Sequence, residues 1–348
     1  MKTIAAVLRG FNKALTIEEL TLPALQPGQV LVRIAYSGVC HSQLNEIRGL
    51  KGEDKFLPHT LGHEGSGIVE AIGAGVTKFV PGDHAVLTWI KGNGLDVPSS
   101  KFSSPDGSTV NSGAISTFLT KSVISENRMI KIPKALSLKE AALLGCAIPT
   151  GAGIVINTAN VSSGKTIAIF GMGGVGLSAL LAANIKDASI IIAIDISEDR
   201  LKWARLLGAT HTLNAKNEDV LEGILKITGG KGVDYAIESA GKKETMEMAF
   251  KSVCDKSGLC VIAGNLSFGE KIQIDPFDFI KGKRIIGTWG GETLPDRDIP
   301  RYADWAISGK IDLKKLICRV YKLANINDAI DYMEQHAVGR VLIGMEER

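Results

Sequence analysis

This chain has little of the charge bias, aromatic content or long apolar sequence that mark nucleic-acid-binding and membrane proteins. Its 348 residues carry 40 basic and 37 acidic side chains, and the small net charge of +3 includes no long run of one sign. Aromatic residues make up only 5% of the sequence, and no apolar stretch approaches the ~20 residues that a membrane-spanning helix needs. We therefore expect neither a nucleic-acid partner nor a membrane partner.

Cysteine is scarce as well. The five cysteines stand at positions 40, 146, 254, 260 and 318. An odd number of cysteines spread along the chain is not a disulfide framework, and it is typical of proteins kept in a reducing compartment. We therefore expect a cytoplasmic protein with free thiols.

What the sequence does contain is a change of pattern near residue 150. Residues 1–150 are rich in short alternating segments bounded by glycine and proline, which predicts a mainly antiparallel β domain, a small barrel. Residues 151–288 alternate strands with helical stretches, which predicts an α/β domain with a doubly wound parallel sheet. Residues 289–348 are helix-rich, include His336 on a charged helix and end in a strand-like run, and we expect them to pack back on the first domain.

A glycine-rich turn lies between a predicted strand and a predicted helix. The segment Gly171-Met172-Gly173-Gly174-Val175-Gly176 follows the β-branched run at 166–170 and precedes an apolar helical stretch. Gly171 permits a tight turn, Gly173 lets the backbone approach a pyrophosphate, and Gly176 lets the helix pack closely on the strand. The unpaired N–H groups of the helix N-terminus attract phosphate. In this setting the motif predicts a dinucleotide site.

An acid at the end of the next predicted strand indicates which dinucleotide is bound. Asp195 closes the run at 190–194, about 20 residues beyond the last glycine, which is the spacing of a ribose-binding acid. Its carboxylate can accept hydrogen bonds from both ribose hydroxyls and would repel a 2′-phosphate. No base follows until Arg200, which we also assign to the coenzyme site. The sequence therefore favours NAD over NADP.

Two cysteines and one histidine form a second set of candidate site residues. Cys40 follows an apolar strand and a glycine, His63 lies in a Gly-His-Glu-Gly segment, and Cys146 precedes the dinucleotide region. Two thiolates and one imidazole suit zinc, and three protein ligands leave a fourth tetrahedral position open for water or substrate. The same residues are also compatible with two small buried cysteines and a hydrogen-bonded core histidine, and their spacing does not decide between these interpretations.

The order of these segments resembles that of the medium-chain, zinc-dependent alcohol dehydrogenases. The resemblance runs nearly from end to end of the chain and implies a GroES-like catalytic domain together with a Rossmann domain. The matching landmarks are Gly38-Val39-Cys40-His41-Ser42, Gly62-His63-Glu64-Gly65-Ser66-Gly67, Pro81-Gly82-Asp83, Gly145-Cys146, Thr150-Gly151, the glycine motif and Asp195.

The resemblance implies a role for each residue of the expected metal centre. It implies a catalytic zinc held by Cys40, His63 and Cys146, with Glu64 beside the metal as an occasional ligand or electrostatic partner. Ser42 is expected to accept the proton of the substrate hydroxyl and to pass it on. These residues make up the expected catalytic set.

For the coenzyme, the resemblance adds residues outside the glycine motif. It implies that His41 and Arg340 approach the pyrophosphate. It also implies that Thr150 and Val175 shape the nicotinamide pocket. On general grounds we further expect a closed homo-oligomer, a dimer or a tetramer.

The chain also departs from the family pattern. Family members often carry a second, structural zinc on a lobe with four cysteines, but residues 89–113 contain no cysteine here. We expect this loop to be held by its own hydrogen bonds or by a partner subunit. Gln43 replaces an aspartate that orients the ligand histidine, and its amide oxygen can accept the same hydrogen bond. Asn45 replaces a proton-relay histidine and cannot titrate.

Together these features predict an NAD-dependent, zinc-containing enzyme that transfers a hydride between a small primary or secondary alcohol and NAD. The product is the aldehyde or ketone. One alternative is a zinc-free quinone or enoyl reductase on the same fold, and retention of Cys40, His63 and Cys146 argues against it. A second alternative is a nucleotide-binding protein without catalysis, which the changes at Gln43 and Asn45 leave open.

Overall fold

The computed structural model describes residues 1–335 and 338–345, so His336 lies outside the described residues. The chain forms two units, and its C-terminal segment belongs to the first of them. Unit 1 comprises Met1–Cys146 and Leu294–Arg348, and unit 2 comprises Ala147–Thr293. The domain boundaries expected after residues 150 and 288 stay predictions.

Short strands make up most of the regular secondary structure of unit 1, since β-branched residues alternate with polar ones between glycine and proline turns. The strands of its first part are β1 (Lys2–Leu8), β2 (Thr16–Thr21), β3 (Gln29–Gly38), β4 (His59–Thr60), β5 (Glu64–Ile72), β6 (His84–Thr88), β7 (Lys101–Ser103), β8 (Thr109–Asn111), β9 (Lys121–Ser125) and β10 (Met129–Lys131). Its helices and remaining strands are α1 (His41–Ile47), α2 (Leu138–Ala141), α9 (Pro295–Ile307), α10 (Ile326–Gln335), β17 (Ile317–Lys322) and β18 (Arg340–Gly344).

The strands of unit 1 form two sheets. One closes into a barrel in the order β1-β2-β7-β8-β4, and the other runs β10-β6-β5-β3-β18-β17 with β9 also paired to β3. Strand β18 lies antiparallel to β3, with Leu342 opposite Gly38. The N–H of Val39 donates to the carbonyl of Val341 at 2.9 Å, so the C-terminal strand supports the turn that leads into Cys40.

Unit 2 is a parallel sheet flanked by helices. Its strands are β11 (Thr166–Phe170), β12 (Ile190–Asp195), β13 (His211–Asn214), β14 (Tyr235–Glu238), β15 (Leu259–Ile262) and β16 (Arg284–Gly287). Its helices are α3 (Ala147–Gly153), α4 (Gly174–Ile185), α5 (Glu198–Leu206), α6 (Val220–Ile227), α7 (Lys243–Ser252) and α8 (Pro276–Ile280). The strand order β13-β12-β11-β14-β15-β16 is that of the doubly wound dinucleotide-binding sheet. The expected α/β class with a barrel-like domain is therefore confirmed.

The cysteine-free loop at 89–113 is tied to its surroundings by hydrogen bonds within unit 1. Buried Glu126 accepts from the N–H groups of Thr77 at 2.7 Å and Lys78 at 2.8 Å through Oε1, and from that of Leu95 at 2.8 Å through Oε2. Ser125 Oγ accepts from the N–H of Val97 at 3.1 Å. One carboxylate thus fastens the start of this loop, and β7 pairs with β8 within it. The alternative of a partner subunit stays a prediction.

We predict that Glu126→Gln lowers the free energy of unfolding by about 2–4 kcal/mol, because an amide group would face backbone donors that now bind a charged oxygen. Burial opposes ionisation, but the N–H groups of Leu95, Lys78 and Thr77 outweigh it and hold the pKa of Glu126 below its ordinary value of 4.5. The carboxylate's contribution is therefore complete above pH 4.5 and disappears as the pH falls through the lower, folded-state pKa.

Urea unfolding across the acid range measures this difference. Exposed Glu270→Gln is the matched control and should leave the free energy of unfolding within about 0.5 kcal/mol of the parent. A Glu126→Gln protein as stable as the parent at neutral pH would show that the carboxylate does not fasten the loop.

Among the described residues no single helix is long and apolar enough to cross a membrane. The consecutive segments Leu138–Gly145 and Ala147–Thr158 pass that test together, by length and composition only. Most of their residues are buried, and buried core helices pass the same test.

Candidate active site

Three separate elements of unit 1 bring the cysteines and the histidine together. Cys40 is the residue before α1, His63 directly precedes β5, and Cys146 follows a short 3-10 turn at Ala142–Gly145. One ligand atom from each of the three residues lies within 4.8 Å of the others. The structure therefore brings together three residues whose spacing in the sequence left their grouping open.

The chemistry of this cluster fits a zinc ion. Both cysteines are buried, with relative exposures of 8% for Cys40 and 6% for Cys146. The Nε2 atom of His63 is also buried and has no hydrogen-bond partner among the described residues. A buried imidazole nitrogen without a hydrogen bond costs free energy, and a cation bound by it and the two sulfurs would remove that cost. Two sulfurs and one nitrogen are a common donor set for catalytic zinc.

The two thiols interact strongly. The hydrogen bond from Cys146, reinforced by Arg340 and His63, holds the pKa of Cys40 well below its ordinary value. The same bond raises the pKa of Cys146, so the pair shares one proton. Zinc binding displaces such a proton, because only the thiolate is a ligand.

A buried ion pair lies beside the cysteines. Arg340 Nε donates to Glu64 Oε1 at 2.6 Å, Nη2 contacts the same oxygen, and both side chains are buried. Burial opposes the charge of Arg340, but Glu64 and the two thiols outweigh it and raise its pKa. A Cβ on Gly38 would lie 1.9 Å from Glu64 Oε1, so glycine is required there to admit the carboxylate. The pairing of Glu64 with Arg340 was not foreseen from the sequence.

Gln43, three residues after Cys40, makes a different contact from the one expected. Gln43 is buried, and its Oε1 accepts from the N–H of Cys40 at 3.2 Å. The expected hydrogen bond from His63 is not made among the described residues. Since the glutamine side chain reaches back to the start of its own helix, it fixes Cys40 rather than the histidine. His41 and half-buried Ser42 lie in the first turn of that helix.

In unit 2 the glycine motif occupies the turn from β11 into α4. Gly171 has a φ of +91°, and a Cβ on Gly176 would lie 1.8 Å from the carbonyl oxygen of Gly171. A Cβ on Gly173 would meet nothing within 4 Å, and the residue precedes α4 without a side-chain cap. Gly174 and Val175 form the first turn. The loop therefore has open space beside Gly173, as the close approach of a pyrophosphate requires.

The acid at the end of β12 is held in a defined orientation. Asp195 Oδ2 accepts from the N–H of Met172 at 2.7 Å, and Oδ1 accepts from the N–H of Ser197 at 3.0 Å. Arg200 Nη1 lies 3.6 Å from Asp195 Oδ2. Each carboxylate oxygen keeps a lone pair for a ribose hydroxyl. Elsewhere in unit 2, buried Thr150 Oγ1 has no hydrogen-bond partner among the described residues.

Comparison with known proteins places the chain in a family. The profile described as "Alcohol dehydrogenase GroES-like domain" matches residues 26–134, and that described as "Zinc-binding dehydrogenase" matches residues 174–308. Alcohol dehydrogenase 1 of Pisum sativum is 32% identical over 374 residues, covering 100% of this chain and 98% of the relative. The chain belongs to the zinc-dependent alcohol dehydrogenases.

Solved structures of this family agree along the whole chain. The crystal structure of benzyl alcohol dehydrogenase from Acinetobacter calcoaceticus has a TM-score of 0.91 and 32% identity, covering 99% of this chain and 100% of that one. A zinc-binding-domain alcohol dehydrogenase from Burkholderia ambifaria has a TM-score of 0.91 and 33% identity, covering 100% of both chains. As a zinc-dependent alcohol dehydrogenase, the protein is an oxidoreductase that uses zinc and NAD.

Proposed function

We propose that Cys40, His63 and Cys146 hold the catalytic zinc and that the glycine motif and Asp195 hold NAD. The observation that carries the proposal is the convergence of two thiols and an unpartnered buried imidazole nitrogen. When bound, zinc polarises the alcohol oxygen and NAD takes up the hydride from the alcohol carbon. Oxidation then gives an aldehyde or ketone, NADH and one proton.

The charged pair beside the cysteines prepares the site for a cation. Two thiolates and the Glu64 carboxylate would repel one another strongly at this depth of burial. Arg340 neutralises part of that charge, so we assign it and Glu64 an electrostatic role at the metal centre. Because Glu64 Oε1 is engaged by Arg340, ligation of the metal through that oxygen requires the pair to separate. The pyrophosphate role of His41 and Arg340 stays a prediction.

The alcohol proton leaves through Ser42 in this proposal. Its hydroxyl both accepts and donates, so it can take the substrate proton while releasing its own to the ribose or to water. Asn45, one turn further along α1, cannot titrate and therefore cannot take the next step. Thr150 and Val175 are assigned to the nicotinamide pocket, which the unpartnered hydroxyl of Thr150 supports.

We assign the substrate to the primary or secondary alcohols with an apolar or aromatic group. We take six apolar side chains as candidate pocket walls: Trp89, Leu87, Phe56, Leu57, Ile115 and Trp289. Leu87 is fully buried in a core cluster of unit 1 and is better assigned to that core. The name of the Acinetobacter relative, a benzyl alcohol dehydrogenase, supports an aromatic alcohol as the first substrate to try.

Cellular setting and assembly belong to the same proposal. The five cysteines are free in the structure, which supports a reducing cytoplasm. We also propose a closed homo-oligomer, a dimer or a tetramer, because closed symmetry is the common state of soluble oligomers.

Absorbance at 340 nm tests the activity, with NAD and a panel of alcohols and with NADH and the matching carbonyl compounds. Reversible turnover that is lost on chelation of zinc supports the proposal. NADH binding without turnover across the panel would contradict it.

We predict that Asp195→Asn shifts coenzyme use from NAD towards NADP. The change removes the charge that repels a 2′-phosphate and weakens charge-assisted hydrogen bonds worth about 1.5–3 kcal/mol each. The ratio of kcat/KM for NAD to that for NADP should therefore fall by roughly a hundredfold. Exposed Asp199→Asn, on the adjoining helix, is the control and should keep the parent's ratio. An unchanged ratio in Asp195→Asn would remove that residue from the coenzyme site.

A further inference from the structure

A second group of ligand-type side chains lies in unit 1, on the segment between Cys40 and His63. Glu46 is on α1, Asp54 is in the following loop, and His59 is in β4. His59 Nε2 lies 2.7 Å from Asp54 Oδ2 and 3.8 Å from Glu46 Oε1. One ligand atom from each of the three lies within 4.8 Å of the others.

The surroundings of His59 determine which of its nitrogens has a lone pair. His59 Nδ1 lies 3.1 Å from the carbonyl oxygen of Thr60. A carbonyl only accepts hydrogen bonds, so Nδ1 carries the proton and a neutral His59 presents the lone pair of Nε2. That lone pair faces two carboxylate oxygens, which are acceptors as well. One ligand atom from each of the three side chains therefore converges on this point.

Other hydrogen bonds occupy one oxygen of each carboxylate and leave its second oxygen near His59 Nε2. Asp54 Oδ1 accepts from the N–H of Phe56 at 2.9 Å, which leaves Oδ2 for His59. Glu46 Oε2 accepts from Lys51 Nζ at 3.1 Å, which leaves Oε1. The His59 side chain is only 7% exposed, whereas those of Asp54 and Glu46 are 15% and 28% exposed. The cluster is thus open to solvent on its carboxylate side.

We propose that Glu46, Asp54 and His59 form a second site, for a divalent transition-metal ion such as zinc. One imidazole with two carboxylates suits zinc, manganese or cobalt better than calcium or magnesium, which prefer oxygen alone. An Nδ1–H held by a backbone carbonyl is the usual support of a metal-ligating histidine. A tetrahedral zinc about 2.1 Å from each ligand separates ligand atoms by about 3.4 Å, so Asp54 moves outward when the ion enters.

The bound ion would join the end of α1 to β4, within the segment of chain that separates Cys40 from His63. With three protein ligands and solvent access, the site binds its ion more weakly than the cysteine centre does. It goes beyond the proposed function and does not depend on it, because none of its residues belongs to the catalytic set.

Isothermal titration of zinc into the holoenzyme, prepared with about one zinc per chain, tests this site. The parent protein should bind one further equivalent. Glu46→Gln and His59→Gln should each weaken that binding by more than about tenfold, the least loss expected for a residue that touches the ion. His211→Gln, which changes an exposed histidine of unit 2, should bind as the parent does.

Cobalt(II) gives an independent measurement. A further equivalent of cobalt that adds no thiolate-to-metal charge-transfer absorption lies away from the cysteines and supports the site. No further equivalent in the parent, or the same affinity in both variants, would overturn the proposal, and a proton on Nε2 would then satisfy the two carboxylates. Should His59→Gln fail to fold, Glu46→Gln decides the question, because the Glu46 side chain is 28% exposed and lies on the solvent-facing side of the cluster.

Discussion

Cys40→Ser should lose the zinc and lower kcat/KM for alcohol oxidation by at least about a thousandfold. Serine does not ionise near neutral pH and is a poor zinc ligand, so the substitution leaves one thiolate and one imidazole at the centre. The metal supplies several kcal/mol of transition-state stabilisation, and each 1.36 kcal/mol is a factor of ten in rate. The hydrogen bond from Cys146 holds the pKa of Cys40 well below its ordinary value, so its thiolate is available to a metal ion.

Metal content and kinetics must be measured together in this variant. Cys254→Ser is the matched control, because Cys254 is a half-buried free cysteine of unit 2 and should retain both zinc and activity. NADH binding, followed by fluorescence quenching, should be retained by Cys40→Ser, since the glycine motif is untouched. Full zinc and full activity in Cys40→Ser would contradict the assignment of the metal centre.

The second large effect is a contrast between two glycines of one loop. Gly176→Ala places a Cβ 1.8 Å from the carbonyl oxygen of Gly171, so the helix must move off the strand. Overpacking of this kind costs about 1–3 kcal/mol, and we expect a lower melting temperature. Gly173→Ala meets no atom within 4 Å and should melt as the parent does. Its methyl group instead occupies the space through which a pyrophosphate approaches the backbone.

For Gly173→Ala we expect the Kd for NADH to rise by about 10- to 100-fold, which corresponds to about 1.4–2.7 kcal/mol. Melting curves and NADH titrations on both variants separate stability from binding.

Gly229→Ala is not a suitable control, since that glycine has a φ of +61° and alanine would be strained there. Exposed Gly287 has no such φ and no atom within 4 Å of a Cβ, so Gly287→Ala tests the cost of the methyl group alone. Unchanged NADH binding in Gly173→Ala would exclude this loop as the pyrophosphate site.

The parts of the fold that the sequence predicted well are local. A β-branched run followed by glycines and an apolar helix describes β11 and α4 without any distant contact, and Asp195 follows at the end of the next strand. The metal centre was different, because nothing in the spacing of Cys40, His63 and Cys146 brings them together. Family resemblance alone grouped the three residues. The structure then placed one ligand atom of each within 4.8 Å of the others.

Other contacts could not be predicted because they depend on side-chain orientation. The sequence shows a glutamine at position 43 but not that its oxygen turns back to the N–H of Cys40. It shows Glu64 and Arg340 far apart in the chain but not that they form a buried pair beside the cysteines. The one local signal for the pair was Gly38, two residues before Cys40, because a larger residue there would collide with the Glu64 carboxylate. Such pairings follow from strand register between β3, β5 and β18 rather than from composition.

X-ray absorption at the zinc edge tests the central claim most directly. The sample is untagged protein dialysed until the metal content, measured by plasma mass spectrometry, is about one zinc per chain. We predict a first shell with two sulfurs at about 2.3 Å and one imidazole nitrogen at about 2.0–2.1 Å in the parent protein, and no zinc-edge signal above background in dialysed Cys40→Ser. A first shell of nitrogen and oxygen alone, or protein that retains no zinc, would contradict a catalytic centre built from Cys40, His63 and Cys146.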